Sequence, residues 1–319
     1  MSAHLSAAHR PPSATPVTEP LQYETAPIGE SVGPFSYTIP LDHNRQRLAA
    51  YSLPASAFLP GTGWAEPSLL CGQHSWVMRQ RFSWGGSVHA KCDIALLKPV
   101  ALGARIHIGC RLSGKYERRG GHYVVFTLET HDDAGDLVCQ VDNAMLLNFR
   151  DVIAARRAAR GEAGAAANAG TAANAAAAAG NDVAAPDDVP ALQLSFGPKL
   201  LGRDDILGFF AAEEAVYGAH LSLHNRLDIA QAAGLSDIIA PGRYSIGLMN
   251  CMFAQLYGEA WLSRARYSVT FLQNLLPGLR LQARAKPAGD DGAGSFDIVS
   301  MDLVSNRPVL SGTASLAAA

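Results

Sequence analysis

The stretch from Tyr217 to Gly242, YGAHLSLHNRLDIAQAAGLSDIIAPG, gathers more groups able to move a proton or meet an anion than any other part of the chain. An imidazole changes charge near neutral pH, so His224 suits a general base that takes a proton from water or a hydroxyl. It equally suits a donor that holds a substrate carbonyl, or a structural ring that bonds loop backbone. His220, Asp228 or a carboxylate from the first half of the chain would complete an acid/base pair, although solvent exposure or packing is the more ordinary role for His220. Pro241 and Gly242 open a long apolar run. A glycine at the first turn of a helix presents N–H groups at the positive end of the dipole and lets a carbonyl come close, which makes an oxyanion site. It also permits tight packing of a helix on a sheet, and both reasons stay open here.

Several other chemistries lack their residues. No glycine-rich phosphate loop follows a strand, no G-x-S-x-G elbow is present, and no His/Glu pair has metal spacing, so no metal is expected. The five cysteines, Cys71, Cys92, Cys110, Cys139 and Cys251, are dispersed and sit mostly among apolar residues. That is the pattern of small buried hydrophobes in a reducing compartment, and Cys251 belongs to a core rather than to a nucleophile. The formal net charge of -2 gives no bulk electrostatic pull toward nucleic acid or an anionic membrane. No run approaches the length of a membrane span, and the N-terminal MSAHLSAAHRPPSATP has no apolar core of a secretory signal, so a cytoplasmic protein is the expectation.

The elements that must position these residues divide the chain in two. Its 319 residues, 48% apolar and 17% charged, suffice for two cored domains. Residues 1–20 read as a disordered tail, 21–150 as a first domain, 151–188 as an Ala/Gly-rich linker with no apolar face, and 189–319 as a second domain. Each half repeats one signal. Gly103 stands two residues before Arg105, and Gly278 two residues before Arg280, each opening a period-2 run. Strands at 123–129 and 137–147 follow in the first half, separated by the turn-rich KYERRGG and HDDAGD, and strands at 296–304 and 309–316 follow in the second. RYSIGLMNCMFAQLYG, from Arg243, is apolar nearly all round and predicts an enclosed helix. Its first-half counterpart is expected near Glu66 to Gln80. An antiparallel sheet wrapped around a buried helix satisfies both patterns, which makes the fold class α+β, a tandem (double) hotdog. The halves should join edge to edge about a pseudo-twofold, because each sheet otherwise leaves an edge unpaired.

With His224 eighteen residues before Gly242, the segment resembles the MaoC-like, or R-specific enoyl-CoA hydratase, family. Its signature has an Asp, then Asn-Pro-x-His, then a helix ending at Gly, then the glycine that opens the buried helix. More weakly, Gly86-Ser-Val-His89, Lys98-Pro-Val and Tyr116-Glu-Arg-Arg-Gly120-Gly-His-Tyr-Val-Val are similar to the N-terminal dehydratase-like half of two-hotdog members. The resemblance covers about Tyr23 to Phe149 and Leu192 to Leu316. It implies a lyase, a hydratase or dehydratase that adds or removes water on an acyl thioester, with His224, Gly242 and His220 as catalytic candidates. No separate cofactor is implied, since coenzyme A or an acyl carrier arm is part of the substrate. Arg243, Arg118 and Arg119, with Lys115 beside them, are candidates to meet its phosphates, although a charge run on a hairpin is otherwise a solvated edge. The partner expected is thus an acyl thioester, with no nucleic acid or membrane, and a homo-oligomer is compatible. The chain departs from the family where its Asp should stand, which is Ala219, and at the Asn-Pro positions, which are Leu221 and Ser222. A non-catalytic acyl-binding subunit and a hotdog thioesterase are the alternatives.

Overall fold

The computed structural model describes residues 19–83, 87–159, 194–218, 221–288 and 294–318. Two short strands, β1 (Glu19–Pro20) and, much later, β3 (Phe82–Ser83), pair in parallel as a separate small sheet. The others are β2 (Ser31–Thr38), β4 (Val88–Leu96), β5 (Arg105–Arg118), β6 (Gly121–Asp132), β7 (Leu137–Leu146), β8 (Leu194–Leu200), β9 (Ala265–Phe271), β10 (Arg280–Pro287), β11 (Ser295–Asp302) and β12 (Arg307–Leu316). They form one ten-stranded sheet, in the order β2-β5-β6-β7-β4-β9-β12-β11-β10-β8. Every neighbouring pair is antiparallel.

That order reads the same from either end once β2 is matched with β8, β5 with β10, β6 with β11, β7 with β12 and β4 with β9. The halves meet at β4 and β9, where Lys91 to Ala95 pair with Thr270 to Arg266. The pseudo-twofold extends to single hydrogen bonds. The Gly103 N–H donates to the Ile39 carbonyl and the Gly278 N–H to the Leu201 carbonyl, while the Ala65 N–H donates to Val100 and the Ala240 N–H to Leu275. The sequence repeat around Gly103 and Gly278 is therefore a structural repeat, and the edge-to-edge junction is as expected. Both outer strands carry Gly-Pro, at Gly33-Pro34 and Gly197-Pro198. The two glycines have φ of 102° and 106°, and a Cβ on either would press on a carbonyl of the next strand. Proline lacks the N–H that an open edge would offer, so each end of the sheet is blunted.

Strand alternation sets which side faces inward. In β5, Ile106, Ile108, Cys110 and Leu112 are buried while Arg105, His107 and Arg111 are not; in β10, Leu281, Ala283 and Ala285 are buried. The concave side holds the central helix (Arg243–Tyr257), whose residues Tyr244 to Ala254 are all buried. All five cysteines are buried free thiols.

Several expectations need correction. The first-half helix is broken, a 3-10 turn (Pro67–Cys71) followed by a short helix (His74–Met78), because Pro67 and Gly72 interrupt the segment. The KYERRGG segment is mostly strand: β5 runs to Arg118, and Arg119 and Gly120, with φ of 52° and 75°, make the whole turn. A helix (Phe149–Ala159) occupies the first part of the segment read as linker; Asp151 favours its first turn and Val152 is buried. Residues 160–193 lie outside the described residues, as do 1–18. Helices His43–Ala50 and Arg203–Tyr217 were not anticipated. Among the described residues no helix is long and apolar enough to cross a membrane, and no group of His, Cys, Asp and Glu is placed to hold a metal ion.

Candidate active site

The loop that carries His224 is held by its own side chains. The Ser222 Oγ accepts the His224 N–H at 3.1 Å, and the Asn225 Oδ1 accepts the Ser222 N–H at 2.9 Å. Asn225 in turn donates to Glu214 on the Arg203–Tyr217 helix at 3.1 Å. A second clamp ties the loop to the segment before the central helix: the Ile239 N–H donates to the Leu223 carbonyl, and the His224 Nδ1 lies 2.7 Å from the Ile239 carbonyl. A carbonyl can only accept, so Nδ1 carries the hydrogen, and in the neutral ring the lone pair sits on Nε2.

His224 and Gly242 line one cleft of about 170 Å³, between the halves. From the second half come Phe210, Ser222, Leu223, Pro241, Arg243 and Phe271, among others. From the first come His74, Ser75, Arg79, Ser87, His89 and Met145. In the first turn of the central helix, Tyr244 N–H reaches the Pro241 carbonyl and Ser245 N–H reaches Gly242. The N–H groups of Gly242 and Arg243 precede these, so the helix itself supplies them no acceptor. Gly242 also has a packing reason to be glycine, since a Cβ there would lie 2.5 Å from the Phe271 ring.

Arg243 lines the cleft, yet its guanidinium is held by both oxygens of Glu213 on the Arg203–Tyr217 helix. Glu213 is shared with the fully buried Arg47, whose Nη1 lies 3.1 Å away and whose guanidinium stacks 3.8 Å above the Phe209 ring. Behind Arg47 lies Glu66, 4.0 Å from its Nε. Glu66 accepts from Ser68 and, at 3.2 Å, from Asn250 of the central helix. Burial and the neighbouring Arg47 push the Arg243 pKa down to about 9, which still leaves it protonated at neutral pH. His74 and His89 stand with ring centroids 4.9 Å apart, and burial pushes both below the ordinary imidazole range, His89 to about 3. They are neutral.

The other candidates lie elsewhere. Arg118 and Arg119 are exposed at the tip of the β5–β6 hairpin, as is Lys115 on β5, and none of the three lines the cleft. Asp228 is an exposed partner of Arg226 at 2.9 Å, an ion pair that holds its carboxyl below the usual range. Ala219 and His220 lie outside the described residues. Sequence reasoning missed His74, Arg79 and Glu213, because tertiary approach alone brings them here. His89 stood in the quoted Gly86-Ser-Val-His89 without being read as a site residue.

The pseudo-twofold gives this cleft a counterpart in the first half, bounded by Ala65, Glu66, Leu96, Lys98 and Val100. Its volume is about 10 Å³, room for no more than about one water molecule. Leu69, Leu70 and Leu262 pack around it, so one of two equivalent positions is open and the other is filled.

No family model matches the chain, and no curated protein matches it by sequence. Solved structures do. A MaoC-like dehydratase superposes with a TM-score of 0.63 at 17% identity, over 93% of this chain and 100% of that one. Peroxisomal multifunctional enzyme type 2 from Drosophila melanogaster gives 0.65 at 11% identity, over 90% of this chain and 48% of that one, so this chain spans about half its length. A double-hotdog protein of Mycobacterium tuberculosis gives 0.54 at 13% identity, over 93% of this chain and 98% of that one. The chain has the tandem hotdog fold, in the form taken by MaoC-like dehydratases.

Proposed function

We propose that the protein is a hydratase or dehydratase of an acyl thioester. The observation that carries this reading is that His224, with its tautomer set by the Ile239 carbonyl, and the first turn of the central helix line the same cleft. In hydration, Nε2 of His224 takes a proton from water as the water oxygen bonds to the β-carbon of an enoyl thioester. The electron pair of the double bond moves toward the thioester oxygen, and the Gly242 and Arg243 N–H groups stabilise that enolate. The resulting imidazolium returns its proton to the α-carbon. One base serves both steps, which suits a cleft whose described lining includes no Asp or Glu. The same lining, with Ala219 where the family's Asp stands, favours a second reading, an acyl-binding module without catalysis.

The test follows loss of the conjugated thioester absorbance with a short enoyl-CoA, on wild type and His224→Ala. A rate that falls by 10² or more in a variant of unchanged melting temperature supports the proposal. A wild type that binds the thioester without hydrating it overturns the proposal in favour of the binding module.

A further inference from the structure

We propose that the cleft takes a substrate bearing a second negative charge, a short acyl thioester whose acyl chain ends in a carboxylate, and that Arg79 is the residue that meets that carboxylate. The inference rests on the thioester reading of the cleft and names its substrate class.

The argument begins with charge. Two arginines, Arg79 and Arg243, line the cleft, and its described lining includes no acidic residue. Arg243 is matched by Glu213, and Arg47 behind it has Glu213 and Glu66 within reach, so two arginines and two carboxylates balance. Arg79 is not part of that balance. It follows the short first-half helix (His74–Met78) and is half-buried, and no acidic side chain among the described residues pairs with it. Burial lowers its pKa with no carboxylate to raise it, the mark of a cation partly stripped of water and given nothing in return. His74 and His89 beside it are neutral and cannot share the role. A planar guanidinium with open donors suits a carboxylate, which it can hold through two parallel hydrogen bonds.

Size then separates the two sources of negative charge in a thioester. A volume of 170 Å³ is a little above the roughly 150 Å³ that admits the six carbons of a benzene ring, so it holds about seven heavy atoms. That is a four-carbon acyl group with its terminal carboxylate. The phosphates of a coenzyme A or carrier arm stand a whole pantetheine length from the thioester, and do not fit beside the reacting carbons in such a space.

The experiment compares crotonyl-CoA with the CoA monothioester of fumaric acid, its carboxylated counterpart, and repeats the comparison with the corresponding N-acetylcysteamine thioesters, which lack phosphate. Wild type should favour the carboxylated member by about 10²-fold in kcat/KM in both series, and Arg79→Met should bring that ratio to about one. Arg79→Lys, which keeps the charge and loses the fork, should retain part of it. Equal use of both substrates by wild type would overturn the inference. So would an Arg79→Met loss that is the same for both CoA thioesters and absent with the phosphate-free pair, which would place Arg79 on the arm. Calorimetric binding of the saturated succinyl and butanoyl thioesters separates this inference from the reaction itself. An Arg79-dependent preference for succinyl in a protein that hydrates nothing upholds the carboxylate subsite and sinks the hydratase reading, whereas no preference in an active hydratase does the reverse.

Discussion

Replacing Gly242 with alanine adds one carbon where the Phe271 ring already lies, 2.5 Å away. The backbone there is ordinary helix, with φ of -54°, so the penalty is steric and not conformational. Gly242→Ala should therefore cost about 1 to 3 kcal/mol in urea unfolding, and the Gly242→Ala/Phe271→Leu double variant should recover most of it. If the double variant is no more stable than the single one, packing on Phe271 is not the reason for the glycine. The sequence identified this position through its place before an apolar helix, but could not choose between packing and carbonyl binding, because that depends on the Phe271 ring, which is distant in the sequence. His224 was legible from its spacing to Gly242, whereas its tautomer was not, since it is set by the Ile239 carbonyl. Arg79 carried no signal at all: a lone arginine in a short segment shows its missing partner only when every neighbour is in place.

Among elements, the central helix was the most legible, because an all-apolar surface has to be enclosed. The Arg203–Tyr217 helix was not anticipated, and it brings Glu213 between two arginines. Removing that carboxylate's charge leaves Arg47 and Arg243 buried and facing each other's like charge. Glu213→Gln should lose about 3 to 5 kcal/mol of stability, far more than an exposed ion pair is worth. A loss under 1 kcal/mol in denaturant titration would mean that the network is solvated and the arginines need no counterion. The turn-rich look of KYERRGG misled for a local reason. Charged residues on an exposed strand end resemble a loop in composition, and the paired ladder from Lys115 to Arg118 exists only through β6.

At the scale of the molecule, buried imidazoles tie stability to pH. His43 and His89 are pushed down to about 3 by burial, and His74 lies well below its ordinary value. Their folded-state pKa values are depressed below the unfolded 6.5, so stability is full above pH 6.5 and falls as the unfolded chain takes up protons that the folded chain refuses. Three such groups give a slope of roughly 4 kcal/mol per pH unit below about pH 6. Melting temperature followed from pH 7 to 5 should drop steeply, and His89→Gln should remove about one third of the slope. A flat profile over that range would show that these rings titrate normally.

The filled counterpart of the cleft bears on how ligand counts should come out. Two copies of one unit would ordinarily offer two equivalent places for an acyl group, and occupancy of one could alter the other across the shared sheet. Here the first-half place has room for no more than about one water molecule, while Glu66 in its wall, bonded to Ser68 and to Asn250 of the central helix, is part of the charge network that supports Arg243 across the junction. The lost pocket has turned into scaffolding for the surviving one. A calorimetric titration with an unreactive acyl thioester should saturate at one equivalent per chain along a plain hyperbola, and a stoichiometry of two would show that the first half opens after all.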